Sequence, residues 1–174
     1  MKKLTKALIL CACLCLIGAV LTACSYRSAD SGVTECDKYD DAERYIAASE
    51  FTYDGAAVSK VNVNWIIGEV KLTQTAGSEL RVKESGQFDE EEKKMRYLID
   101  GDVLNVMFWQ SEYSATVKNE EKKLSVEIPM NVDLEVTCVS APFTAGDLQL
   151  KDAKISSVGG AVTIGNMTAE EVKI

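Results

Sequence analysis

From Val58 onward, apolar residues recur at every second position, the pattern of strands that bury one face. Val61, Val63, Trp65 and Ile67 share one phase, with Asn62, Asn64 and Ile66 on the other. At Gly68 the apolar phase moves to Val70 and Leu72, which predicts a bulge or corner there. Leu80 and Val82 alternate with Arg81 and Lys83. Met95, Tyr97 and Ile99 run into Asp100-Gly101-Asp102 and return as Leu104, Val106 and Phe108, the pattern of a hairpin with Asp-Gly at its turn. Leu124, Val126 and Ile128 lead to Pro129, which lacks a ladder donor and so ends that strand or puts it at a sheet edge.

Val132, Leu134, Val136 and Cys138 follow, and then a glycine-led repeat. Gly146-Asp147-Leu148-Gln149-Leu150 and Gly160-Ala161-Val162-Thr163-Ile164 match at a separation of 14, and both echo Gly68-Glu69-Val70-Lys71-Leu72. Ile155, Val158, Val172 and Ile174 lie between and after the copies. One short strand per turn of a coil is expected, each stacked on its neighbour so that aliphatic rows run along the interior. Ahead of the strands, residues 39–48 predict a short helix, with acids at its start and Tyr39, Ala42, Tyr45 and Ile46 near one face. Val172-Lys173-Ile174 stops inside a strand pattern, so the repeat is expected to be incomplete at the C-terminus or to be covered there by something else.

The order Tyr39 to Tyr45, Val61 to Leu72, Val82 to Ser85, Leu98 to Gly101 with Leu104, and Lys123 to Pro129, together with the Gly146 and Gly160 turns, resembles a bacterial β-strand-repeat family. Its domain carries the label "putative adhesin". The resemblance implies an all-β fold, a single-stacked β-solenoid or β-roll of short Gly-led strand repeats, in a secreted or membrane-tethered protein. Turn and core residues carry it, so it bears on fold more than on function.

At the other end of the chain, Lys2, Lys3 and Lys6 precede an apolar run from Ala7 to Leu21, and Leu21-Thr22-Ala23-Cys24 is followed by polar residues. Basic start, apolar middle and small-residue exit are the parts of a secretory signal. With a cysteine at the junction the stretch resembles a bacterial lipoprotein signal, in which Leu21, Thr22 and Ala23 are recognised and Cys24 receives the lipid. The expected organisation is a signal at 1–23, a linker at 24–38 and a β-repeat domain at 39–174. The body is then held at the outer side of a cell membrane or envelope by acylated Cys24.

Charge and missing residue types narrow the function. The chain has 19 Lys and Arg against 27 Asp and Glu; without the three signal lysines that is 16 against 27, a net charge of −11. Such a body is repelled by nucleic acid and by anionic headgroups, so no nucleic-acid partner is expected and membrane contact falls to the anchor. There is no histidine, which removes the usual general base and the commonest metal ligand. No cofactor and no metal are expected: the acidic run Asp89-Glu90-Glu91-Glu92 lacks the spacing of a calcium loop. Cys36 and Cys138 are the candidate disulfide pair, against which stands the inward strand phase of Cys138. Met107 and Trp109 fall on the phase opposite to Phe108, so they are either covered by 39–48 or 110–120 or form a contact face.

Function is therefore expected to be non-catalytic: a lipid-anchored envelope protein presenting a β-repeat, adhesin-like surface to an extracellular or envelope protein or glycan. The alternative is a regulatory or envelope-stress component that docks on another membrane protein. A carbohydrate-processing enzyme using Asp147, Lys151, Asp152 and Lys154 ranks third, because only closeness in sequence links those residues.

Overall fold

Alternation does become strands. The computed structural model describes residues 33–86, 90–116 and 122–174. Its first strands are β1 (Val33–Glu35), β2 (Ile46–Ala48), β3 (Glu50–Asp54), β4 (Lys60–Trp65), β5 (Glu69–Gln74) and β6 (Glu79–Ser85). Next come β7 (Met95–Asp100), β8 (Val103–Met107), β9 (Ser114–Thr116), β10 (Lys123–Ile128) and β11 (Asp133–Cys138). The last are β12 (Phe143–Ala145), β13 (Leu148–Gln149), β14 (Asp152–Ser157), β15 (Val162–Ile164), β16 (Met167–Thr168) and β17 (Glu171–Lys173).

Two mixed sheets dominate, a seven-stranded one in the order β17-β14-β11-β4-β8-β7-β2 and a six-stranded one in the order β15-β12-β5-β10-β6-β3. From β4 to β5, from β8 to β10, from β11 to β12 and from β14 to β15, the chain leaves the first sheet and enters the second. Inward residues of both, among them Val61, Val63, Trp65, Val70, Leu72, Leu124 and Val136, form one buried cluster. Strands β4, β8, β11, β14 and β17 pair in parallel, whereas β7 and β2 add antiparallel strands at one end. At that end Phe51 of β3 stacks on Tyr97 of β7 at 3.9 Å between ring centroids, which closes the interior between the sheets.

The local signals behave as their chemistry dictates. Gly68 has φ 88, a conformation other residues rarely adopt, and the corner it makes lets Ile66 and Ile67 both turn inward. Gly101 has φ 62 in the β7–β8 hairpin, where Asp100 faces Val103. Pro129 terminates β10, which lies inside its sheet between β5 and β6 rather than at an edge.

Three expectations are corrected. Residues 39–48 form no α-helix: a 3₁₀ turn, Ala42–Arg44, is followed directly by β2. Asp41 sits at φ 53, and the Tyr39 N–H donates to Ser111 Oγ at 3.1 Å, so side-chain and long-range contacts take the groups a helix would use. The repeat spacing is also different. Leu134 faces Ala153, Phe143 faces Val162 and Leu148 faces Met167, an offset of 19 residues each time, as between Glu135 and Lys154. The pentads at Gly146 and Gly160 therefore occupy different corners and do not stack. Gly68 and Gly160 are the equivalent pair, because Val70 and Val162 both lie opposite Phe143. The described part of the stretch read as linker, from Val33, already belongs to the fold: β1 pairs with β9, and Cys36 is buried.

Candidate functional site

Residues that alternate with the core in the seven-stranded sheet face outward, and in-register pairing collects them into rows. One row runs Val103, Lys60 and Asp133, and the neighbouring strands β14 and β17 carry Asp152 opposite Glu171 beside it. The next runs Asn105, Asn62, Glu135, Lys154 and Lys173, and a third Met107, Asn64, Thr137 and Ser156. Asn62 Nδ2 donates to Asn105 Oδ1 at 2.9 Å, the cross-strand amide pairing that parallel register permits. Glu135 is gripped from both sides, by Lys154 Nζ at 2.7 Å and by Lys60 Nζ at 3.0 Å. The Lys154 hydrogen bond, opposed by partial burial and aided by Lys60, holds the Glu135 carboxyl below the usual carboxylate range. Lys60, Asp133, Glu135, Asp152, Lys154 and Glu171 line a recess of about 200 Å³ on this face.

A second recess, of about 380 Å³, lies beside the 3₁₀ turn and includes Tyr39, Tyr45, Arg96, Gln110 and Ser111. Arg96 Nη2 donates to the Glu91 carbonyl and to Gln110 Oε1, so its guanidinium is held by backbone and amide oxygens.

The interior contains an ion pair. Lys122 Nζ lies 2.5 Å from Glu84 Oε1, with the two side chains 0% and 3% exposed. The ammonium stands 4.5 Å from the Phe108 ring centroid and 5.2 Å from that of Trp65. It also donates to the Lys93 carbonyl, while Glu84 Oε2 accepts from the Met95 N–H at 2.8 Å. Burial pushes Lys122 down to about 8 against the opposing pull of Glu84, and burial raises Glu84 despite Lys122.

For the two cysteines and for Met107 and Trp109 the structure decides between alternatives that the sequence leaves open. Leu21, Thr22, Ala23 and Cys24 lie outside the described residues. Cys36 and Cys138 are separate buried thiols, not a disulfide. Cys36 donates its N–H to the Tyr113 carbonyl, whereas Cys138 sits in the ladder between Trp65 and Ser157. Burial drives the Cys138 thiol up to about 12, so alkylation by iodoacetamide at about pH 8 is expected to spare it in the folded protein and to label it in urea. Peptide mapping reads the difference; equal labelling in both states contradicts the burial.

Met107 and Trp109 do not form an exposed contact face, for they are 5% and 0% exposed. Trp109 is covered by Tyr39, whose hydroxyl donates to the Trp109 carbonyl at 3.1 Å, and by Tyr113, edge-on at 5.3 Å. Asp147 ties the approach to β13 to the approach to β16, accepting from Asn166 N–H at 2.9 Å and Nδ2 at 3.1 Å, while Asp152 and Lys154 line the recess on the sheet face. Glu90 pairs with Lys93 at 2.9 Å and accepts from the Tyr113 hydroxyl at 3.3 Å. The Glu84–Lys122 pair escaped the sequence reading, although both residues fall in the inward phase of their strands, Glu84 after Leu80 and Val82, Lys122 before Leu124 and Val126.

No family model matches the chain, and no curated protein does either. Among solved structures the fold is similar to a "putative cell adhesion protein" from Clostridium sporogenes, at 8% identity and a TM-score of 0.39, over 71% of this chain and 98% of that one. It is also similar to a "putative adhesin" from Bacteroides fragilis, at 12% identity and a TM-score of 0.38, over 71% and 73% of the two chains. Both neighbours are named for adhesion, at low sequence identity.

Proposed function

We propose that this chain is a lipid-anchored protein of the bacterial cell envelope whose body, a single-stacked β-solenoid, presents an adhesin-like binding surface and carries out no reaction. One observation supports the surface: the in-register outward rows of Asn, Glu, Lys and Asp repeat along the sheet at the strand spacing. Such rows offer a long ligand the same donors and acceptors at each rung, and the recess around Glu135 gives them a centre. The anchor is read from Leu21-Thr22-Ala23-Cys24.

Binding of the purified body to isolated cell-wall glycan and to extracellular matrix tests the surface. Glu135→Ala with Lys154→Ala is expected to weaken binding about tenfold, roughly 1.4 kcal/mol, with an unchanged β spectrum. No binding to either material sinks the surface reading. For the anchor, Cys24→Ala should abolish incorporation of labelled fatty acid, and label entering that variant contradicts it.

A docking component of an envelope regulatory system is the second reading, favoured by Val158, a large apolar residue 83% exposed in the turn between β14 and β15. Crosslinking in cells to one envelope protein, without glycan or matrix binding, would select it.

A further inference from the structure

Strand β6 ends next to the start of β10, with Glu84 opposite Leu124, so Lys122 reaches Glu84 from the neighbouring strand. Both side chains are cut off from water, the nitrogen rests 2.5 Å from a carboxyl oxygen, and the walls are the rings of Phe108 and Trp65. Two backbone groups complete the setting: the Met95 N–H holds Glu84 Oε2, and the Lys93 carbonyl accepts from Lys122 Nζ.

We propose that the folded chain joins Lys122 to Glu84 by an isopeptide bond between Nζ and Cδ, with loss of one water. Within the pair the ammonium passes a proton to Oε1, leaving an amine and a carboxylic acid. The Nζ lone pair then attacks Cδ, and the carbonyl electron pair moves onto Oε2, where the Met95 N–H stabilises the developing charge. On collapse Oε1 leaves as water, taking its second proton from Nζ. An ammonium and a carboxylate become one amide and one water, and nothing is oxidised or reduced. The product keeps both existing contacts, with Oε2 as amide oxygen on Met95 and the remaining N–H on the Lys93 carbonyl.

Three physical features favour the step. The reactants are held in contact by the fold, which converts a bimolecular condensation into a unimolecular one. Exclusion of water favours amide over hydrolysis and weakens the charged forms. The burial that lowers Lys122 and raises Glu84 acts in that same sense, toward amine and acid. The bond would staple β6 to β10 and close a loop containing β7, β8 and β9, in a body whose cysteines Cys36 and Cys138 are not joined.

Mass spectrometry of the purified full chain tests it. After trypsin, the segments 84–93 and 119–123 are expected as one branched peptide, lighter than their sum by one water. Lys122→Arg is expected to abolish that species. Recovery of 84–93 at its full mass together with 119–122, cut after an unmodified Lys122, from folded wild-type protein overturns the proposal. So does a branched peptide persisting in Lys122→Arg. Should that variant fail to fold, the wild-type digest still decides.

Discussion

Replacing Lys122 with Met is expected to lower the stability of the body by about 3–5 kcal/mol, read as a fall in urea midpoint at constant slope. The change leaves Glu84, 3% exposed, without its cation in a site walled by Phe108 and Trp65. An unpaired buried carboxylate must either stay charged in a medium of low dielectric or take up a proton against its solution preference. Adding Glu84→Gln to Lys122→Met is expected to restore part of the loss, because the amide oxygen still accepts from the Met95 N–H and no charge remains buried. The comparison that carries the reading is between the single and double variants, since both lack the covalent staple proposed for the wild type. If Lys122→Met alone unfolds within about 1 kcal/mol of the wild type, the buried pair is not an organising feature of this interior.

Much of the fold was legible because burial imposes its own period on the chain. Val61, Val63 and Trp65 share a face, and the shift of apolar phase at Gly68 marks the corner, where its φ of 88 is one that other residues rarely adopt. The repeat was misread at 14 because two glycines look alike in sequence whichever corner they occupy. Strand pairing distinguishes them, and the pattern is also present in the residues: Val132-Asp-Leu-Glu-Val136 recurs as Lys151-Asp-Ala-Lys-Ile155. Trp109 illustrates a different limit. Strand phase put it opposite Phe108 and left cover by 39–48 or 110–120 open beside a contact face; a hydroxyl from Tyr39, 70 residues earlier, and the ring of Tyr113 decide for cover. The helix expected at 39–48 failed for the same reason, as Ile46 to Ala48 pair with Tyr97 to Met95 far along the chain. Glu84 and Lys122 stand in the sequence as charged residues in apolar phases, and a charge in such a phase is itself a signal of a buried pair.

Changing Gly160 to Ala is expected to cost about 3 kcal/mol, whereas the same change at Gly146 is expected to cost less than about 1 kcal/mol. The two positions head matching pentads, so sequence alone would treat them alike. A Cβ on Gly160 would stand 2.0 Å from the Ala141 oxygen and 2.5 Å from its carbonyl carbon. Those are backbone atoms just ahead of the neighbouring strand β12, held by the Phe143 N–H donating to the Ala161 oxygen at 2.8 Å and by the β12–β15 ladder. No side chain can rotate away, so relief requires β12 and β15 to separate and the ladder to open. At Gly146 a Cβ meets nothing within 4 Å. Thermal unfolding of the two alanine variants, followed by loss of hydrogen-exchange protection in β15, measures both the size of the effect and its place. Equal costs at the two glycines would mean that Gly160 does not sit against Ala141. The offset of 19 residues that builds the outward rows would then be wrong as well.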